Sequence, residues 1–187
     1  MTAPTDDWMM WLAERYPLAL VEMLHPSPPP REPLALFGIE CREGWKPILI
    51  KLLDRLESEI SAQPEQRRYD FRVVQIKEKL GTLRVYMPGE VTDEMQMAIA
   101  LAEDASGKTC EVCSASGRSR QLRGWLSTLC DSHAAARARK SETGDGDKGE
   151  RALLAREQAR RGEYLTWLES QRLLREYREA KVGKKEK

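Results

Sequence analysis

The sequence predicts an α+β fold: a small β-hairpin or sheet packed with helices, a compact module built on cysteine and histidine, and a long C-terminal helix. Two adjacent runs, 71–77 and 82–87, are rich in β-branched and aromatic residues, which is typical of paired strands. Cysteine and histidine recur in pairs between residues 110 and 133. Residues 150–182 are charge-rich and helix-prone. These three observations decide the predicted fold class.

The length of 187 residues suits one ordinary domain with a small added module. Motifs and changes in composition divide the chain into four predicted parts. These are an N-terminal helical segment with a proline-rich connector (1–36), an α+β core (37–109), the cysteine–histidine module (110–140), and a hinge with the C-terminal helix (141–187).

The N-terminal part begins with helix signals. Thr5 is a capping residue followed by two acidic residues, as helix N-termini favour. Trp8 and Trp11 fall on one face of this helix, where they either bind a partner or, as we expect, cover the core. A proline-rich connector follows at 25–33, and we interpret its His25 as a loop histidine.

The core part combines helical and strand-like segments. A helix is predicted over 46–61, because apolar residues recur there at helical spacing. The strand-like runs 71–77 and 82–87 are joined by a predicted turn at 78–81. Thr92 then caps another predicted helix, which leads directly into the cysteine–histidine module.

The central motif is Cys110-x₂-Cys113, followed after sixteen intervening residues by Cys130-x₂-His133. Paired ligands at this spacing are the pattern of a structural zinc site, since each short loop can present two ligands to one tetrahedral ion. Thiolate sulfur and neutral imidazole are both soft enough to select zinc. We therefore predict one structural Zn²⁺, and because four protein ligands leave no open position, we expect no catalysis by the metal.

The competing interpretation of the motif is two disulfides with a bystander histidine. The N-terminus is acidic and lacks the basic region of an export signal, so we expect a reducing cytosol, where lasting disulfides are disfavoured. No run of about eighteen apolar residues occurs, so no membrane span is expected. The sequence therefore favours the metal site over the disulfides.

The same module carries the basic excess of the chain, with six basic residues against two acidic ones in 110–140. We predict a polar, basic loop at 116–120. Its arginines and a basic stretch beyond His133 could contact phosphate or could simply be solvated, and the sequence leaves both interpretations open. The candidate contact residues are Arg118, Arg120, Arg123, Arg137, Arg139 and Lys140.

The C-terminal part begins with a glycine-rich hinge at 141–149. In the predicted helix that follows, Tyr164, Trp167 and Tyr177 belong to a broad apolar side that must pack on the body of the protein or on a partner. We therefore predict either a partner-binding arm or a self-association helix.

No catalytic constellation is evident in the sequence. The chain has two histidines, of which His133 is assigned to zinc and His25 lies in the proline connector. Glycine-rich phosphate loops and serine elbows do not occur. Cys41 as a nucleophile would need a base that the sequence does not identify, and a buried lone cysteine is more often inert. We expect that the protein is not an enzyme.

Four runs of the sequence, 41–47, 74–86, 109–113 and 124–133, resemble in order a family of small zinc-knuckle proteins encoded in bacteriophages and prophages. The resemblance covers roughly 37–135. It implies a phage accessory protein in the cytoplasm of a bacterial host, one that binds a host protein or a component of anti-phage defence. It implies no particular activity.

Two functions are therefore carried forward from the sequence. The first is a non-catalytic, zinc-stabilised protein-interaction module. The alternative is a zinc-containing nucleic-acid-binding protein that uses the Arg118, Arg120 and Arg123 loop and the basic segment 137–140.

Overall fold

The fold was analysed in a computed structural model that describes residues 7–26, 30–89, 91–122 and 124–142. It confirms a mixed α+β architecture with helices, two small sheets and a cysteine–histidine cluster. The predicted hinge and C-terminal helix at 143–187 lie outside the described residues.

Three short helices begin the described chain: α1 (Asp7–Arg15), α2 (Val21–Leu24) and α3 (Pro33–Phe37). The first helix buries Trp8 and Leu12 in the main core, while Trp11 keeps 43% of its surface exposed. Trp11 instead lies beneath the cations of Arg15 and Lys46. The expectation that the tryptophans cover the core therefore holds for Trp8, and Trp11 remains largely at the surface.

Two longer helices, α4 (Lys46–Ser61) and α5 (Asp93–Ser106), pack against each other and form the helical side of the core. The apolar stripe predicted for α4 is buried, as its spacing requires. The predicted cap of α5 is present, because the Thr92 hydroxyl accepts a hydrogen bond from the Met95 N–H at 3.2 Å. A single 3₁₀ turn, Glu43–Trp45, leads into α4.

The main sheet contains β1 (Ile39–Glu40), β2 (Gln75–Lys79) and β3 (Thr82–Tyr86) in that order. Strand β1 is parallel to β2, and β2 and β3 form an antiparallel hairpin. Leu80 and Gly81 form its two-residue turn, and both have positive φ angles of 54° and 81°. That combination matches the turn type whose twist suits a tight hairpin.

The predicted start of the first strand at residue 71 is wrong. Residues Glu65–Phe71 form a 3₁₀ helix, and the ladder with β3 begins only at Gln75. The backbone N–H of Val73 donates to the carbonyl of Ala19, so this residue pairs with the connection between α1 and α2. The strand-like composition before residue 75 therefore reflects burial of Phe71 and Val73 outside the sheet.

The second sheet is a separate hairpin of β4 (Arg118–Leu122) and β5 (Trp125–Leu129), followed by α6 (Asp131–Glu142). The prediction of a loop at 116–120 is therefore wrong for residues 118–120. Strand β4 pairs with β5 over its full length. Strand β4 is held in place by its pairing with β5 and not by burial. Its Arg-Ser-Arg-Gln-Leu sequence therefore shows no apolar alternation from which a strand could be predicted.

One main core joins the N-terminal helices, α4, the first sheet and α5, with buried Trp8, Leu12, Trp45, Leu53 and Met95 among its members. A second, much smaller cluster contains Cys110, Leu129 and Ala134 and lies between the hairpin and α6. Within the described ranges, no helix has the length and apolar content needed to cross a membrane.

Replacing Leu53 by Ala should lower the free energy of unfolding by about 2–5 kcal/mol, because this side chain is completely buried in α4. Leu101→Ala is the matched control, since it makes the same change at an exposed position of α5 and should cost less than about 1 kcal/mol. Urea denaturation measures both values. Equal losses in the two variants would contradict this placement of the core.

Candidate metal centre

The four predicted ligands come from two places in the fold. Cys110 and Cys113 lie in the turn that follows α5, and Cys130 and His133 lie at the start of α6. The N–H of Ala134 donates to the carbonyl of Cys130 at 3.0 Å, so Cys130 directly precedes the helix and accepts its first backbone bond, while His133 lies in the first turn. A thiolate at a helix N-terminus is favoured by the helix dipole.

The first ligand pair is held by a tight turn of the backbone. The Cys110 N–H donates to the Ala115 carbonyl at 2.7 Å, and the Ser114 N–H donates to the Cys110 carbonyl at 3.0 Å. Ser114 has a positive φ of 63°, which reverses the chain after Cys113. We call residues 110–114 the knuckle. Its backbone bonds fix Cys110 and Cys113 on the same side of the turn.

The four ligand atoms lie within 4.8 Å of one another. The sulfurs of Cys113 and Cys130 are 3.8 Å apart, and the Nδ1 atom of His133 lies 3.6 Å from the Cys110 sulfur and 3.2 Å from the Cys130 sulfur. Ideal tetrahedral coordination of zinc places sulfurs about 3.8 Å apart and sulfur about 3.6 Å from nitrogen. The Cys113–Cys130 and Cys110–His133 separations match these values, and the Cys130–His133 separation is about 0.4 Å shorter, so the four atoms are close enough together to hold a metal ion.

Disulfides do not account for this cluster, because all four cysteines of the chain are free thiols in the structure. The 3.8 Å between Cys113 and Cys130 is well beyond the roughly 2.05 Å of a sulfur–sulfur bond. The three sulfurs and the imidazole all converge on one point, as metal ligands do.

The electrostatics of the sulfurs also suit a bound cation. Burial raises the pKa of the Cys110 thiol, but backbone N–H groups of Cys130, Val112 and Cys113 donate to its sulfur and lower the pKa to about 6. At Cys113 a bond from the Ala115 N–H lowers the pKa, but burial and the neighbouring thiols outweigh it and raise the pKa. Crowded thiols resist joint ionisation, and a divalent cation removes that repulsion.

The knuckle is bonded to the main core through Gly44. The Gly44 N–H donates to the Glu111 carbonyl at 2.9 Å, and the Ser114 hydroxyl donates to the Gly44 carbonyl at 2.8 Å. A Cβ atom at residue 44 would lie 2.4 Å from the Glu111 backbone, so glycine is required by the close approach. Beside it, the Trp45 indole donates to the Thr109 carbonyl at 2.8 Å.

A second connection joins the metal module to the first hairpin. The Thr128 hydroxyl of β5 donates to the Gly81 carbonyl in the β2–β3 turn at 2.5 Å. The Thr128 carbonyl in turn accepts from the Glu111 N–H at 3.0 Å. Thr128 therefore links the knuckle, β5 and the main sheet, and sequence reasoning had no signal for it.

Glu111 was also missed by the sequence analysis. Its side chain is buried beside the knuckle, and its carboxylate lies 3.7 Å from the Arg42 guanidinium. Burial raises the pKa of Glu111, while the charge of Arg42 opposes that shift. The carboxylate thus adds a further contact between the knuckle and the segment before α4. The position of Glu111 between Cys110 and Cys113 is the sequence feature that could have pointed to it.

The predicted phosphate-binding arginines are largely engaged within the module. Arg118 and Arg120 both pair with Asp131, and these bonds hold the pKa of that carboxyl below its usual value. Arg120 also donates to the Leu129 carbonyl at 3.2 Å. Arg137 donates to the Ser127 hydroxyl at 2.8 Å. The arginines thus hold the hairpin against α6 through short polar contacts.

Two further candidate contact residues lie in the second half of α6. Arg139 lies on an exposed side of α6, and Lys140 lies near its end. The others fall outside the described residues, namely Arg123, Tyr164, Trp167 and Tyr177.

Cys41 and His25 lie outside the metal cluster. Burial, with the charges of Glu111 and Glu78, raises the pKa of the Cys41 thiol far above its ordinary value, so this sulfur stays protonated near neutral pH. His25 is exposed at the end of α2. Among the described residues, one group of three or more histidine, cysteine, aspartate or glutamate side chains can hold a metal ion. It consists of the four residues of the motif.

The variant Gly44→Ala should displace the knuckle, because the added methyl group would overlap the Glu111 backbone. We expect the free energy of unfolding to fall by about 1–3 kcal/mol and the affinity for metal to fall with it. Gly107→Ala is the matched control, since its φ is −65° and the nearest atoms to the added group are 3.5 Å away. Denaturation and competition with a metal-binding dye measure both effects. If Gly44→Ala lowered the free energy of unfolding and the metal affinity no more than Gly107→Ala does, the proposed connection between the knuckle and the main core would be contradicted.

Comparison with known proteins adds no assignment to this geometry. No protein-family model matches the chain, and neither the curated proteins nor the solved structures contain a match. The resemblance of residues 37–135 to phage-encoded proteins therefore stays a prediction. The function has to be argued from the metal centre and the surfaces around it.

Proposed function

We propose that the protein is a non-catalytic interaction module whose fold is completed by one structural Zn²⁺. The observation that carries the proposal is the tetrahedral spacing of three sulfurs and one imidazole nitrogen. Sulfur and nitrogen ligands favour zinc among the common divalent ions. Because all four positions are filled by protein atoms, the ion would have no site for water or substrate, and its role would be structural.

The size of the second apolar cluster supports a structural role for the metal. Among the described residues, three are buried there (Cys110, Leu129 and Ala134), with Leu122 and Cys130 partly buried against them. So few apolar side chains supply little stabilisation, and small modules of this kind depend on a metal or on disulfides. A zinc ion would join the knuckle to the start of α6 and enclose the hairpin between them.

The surface of the module supports a role in protein interaction. Trp125 keeps 65% of its surface exposed, and Leu126 and Val112 are also exposed. Exposed tryptophan is costly to leave in water and is enriched at the energetic centres of protein interfaces. The apolar residues of 164–177 supply a second candidate contact element.

The partner that we propose is a host protein or a component of anti-phage defence in the bacterial cytoplasm. This part of the proposal rests on the resemblance of 37–135 to phage-encoded proteins, together with the exposed apolar side chains. In this proposal the cysteine–histidine module and residues 164–177 bind the partner, and this chain catalyses no reaction itself.

The nucleic-acid alternative receives less support. Asp131 pairs with both Arg118 and Arg120 and offsets one of their two positive charges, and most of the Arg120 side chain is buried. Contacts with phosphate would have to displace these ion pairs. Under this alternative, Asp131→Asn should strengthen binding, and substitution of Arg118 and Arg120 by Ala should weaken it whatever the base sequence.

Protein purified without added zinc should contain about one equivalent of the metal, measured by elemental analysis. Cys113→Ser should lower the zinc content and the melting temperature, because it removes one ligand of the site. Cys41→Ser is the matched control, since it removes a cysteine outside the cluster and should keep the metal. Less than about half an equivalent, with an unchanged fold in Cys113→Ser, would refute the zinc site.

The interaction role predicts a protein partner that survives nuclease treatment. Tagged, zinc-loaded full-length protein should retain one stoichiometric protein from bacterial lysate, and a chain ending at Gly144 should keep its folded core and lose that partner. The core can be followed by circular dichroism and zinc content.

Other outcomes of this capture experiment separate the alternatives. Retention lost on nuclease treatment, and strengthened by Asp131→Asn, would establish nucleic-acid binding instead. Unfolding of the chain that ends at Gly144 would show that the C-terminal residues belong to the core and are not a binding arm.

A further inference from the structure

The β4–β5 hairpin has an apolar face that the described part of the chain covers at one end. Leu122 and Trp125 are directly paired, so their side chains share the face that also carries Ser127 and Leu129. Helix α6 covers the end nearest the metal, where Leu129 packs with Ala134. At the tip of the hairpin, Trp125 is 65% exposed. We call Leu122 and Trp125 the tip face.

Helix α6 (Asp131–Glu142) contacts the hairpin part of the way toward this tip. The guanidinium of its Arg137 donates to the Ser127 hydroxyl at 2.8 Å. Trp125, the next residue on that face, lies about 6.6 Å further along the strand. The rest of the chain continues from the end of α6 at Glu142.

The remaining chain carries an apolar stretch that suits this face. Residues 164–177 include two leucine pairs and three aromatic side chains, namely Tyr164, Leu165, Trp167, Leu168, Leu173, Leu174 and Tyr177. The intervening residues 143–163 set the reach, since an unstructured linker of that length spans about 25 Å on average. That length allows residues 164–177 to return to the tip face.

The size of the tip face argues for a tethered occupant. By themselves, one exposed tryptophan and one half-buried leucine provide far less area than the roughly 1,000 Å² that a stable complex between separate proteins buries, so a separate partner would have to contact other surfaces as well. A tethered segment instead binds at an effective concentration in the millimolar range, so a small contact suffices. A second copy of the chain at micromolar concentration would compete poorly.

We propose that residues 164–177 of the same chain dock on the tip face formed by Leu122 and Trp125. Docking removes Trp125 and the apolar side of 164–177 from water together. This docking goes beyond the proposed function, since it takes place within one chain and requires no partner. If a partner also binds 164–177, the docking regulates that binding, because the partner must first displace the segment from the hairpin.

Hydrogen–deuterium exchange of the full-length, zinc-loaded protein tests the docking. Amides of 164–177 should be protected, and Trp125→Ala should speed their exchange about tenfold. Trp11→Ala is the matched control, because it removes another partly exposed tryptophan on α1 and should leave those amides unchanged. Unchanged exchange of α4 amides and unchanged zinc content establish that each variant is folded.

The reciprocal variant Trp167→Ala keeps the test decisive if Trp125→Ala disturbs the hairpin. It should speed exchange in β4 and β5 while leaving α4 unchanged. Exchange of 164–177 at the unprotected rate in the unaltered chain would overturn the proposal, as would protection that Trp125→Ala leaves intact. Protection that disappears on dilution would overturn it as well, since it would assign the tip face to a second copy. None of these results depends on whether a partner is captured.

Discussion

The close contact between Gly44 and the knuckle is the constraint on which the rest of the structure depends. Three hydrogen bonds between backbone or side-chain groups join the segment before α4 to residues 109–114, and the backbones approach too closely for any Cβ atom at residue 44. This contact fixes the first ligand pair relative to the main core. The hairpin, the second ligand pair and α6 are then positioned from the knuckle, with Thr128 as a further link.

A metal ion at the cysteine–histidine cluster would compensate for the small apolar cluster beside it. Backbone N–H groups lower the pKa of the Cys110 thiol, while the neighbouring thiols raise that of Cys113, and a divalent ion would stabilise the thiolates and join two distant parts of the chain. Cys130 and His133 follow directly after the hairpin that carries the exposed Trp125. Under the proposed function, a metal ion bound there would therefore connect stability with recognition.

The sequence predicted the parts of the fold whose signal is local. The spacing of Cys110, Cys113, Cys130 and His133 is enough to predict the metal site, and the α4 stripe and the Thr92 cap follow from helix periodicity and capping chemistry. Strand β4 was missed because neither face of it shows an apolar pattern. The Ser114–Gly44 and Thr128–Gly81 hydrogen bonds join residues 70 and 47 positions apart, which no local pattern encodes.

The most direct test of the metal-centred account is X-ray absorption at the zinc edge of protein purified without added metal. If zinc completes the module, the ion should have a closed shell of three sulfurs at about 2.3 Å from zinc and one nitrogen at about 2.0–2.1 Å. An oxygen ligand in place of a protein sulfur, or the lack of a zinc edge in folded protein, would contradict it.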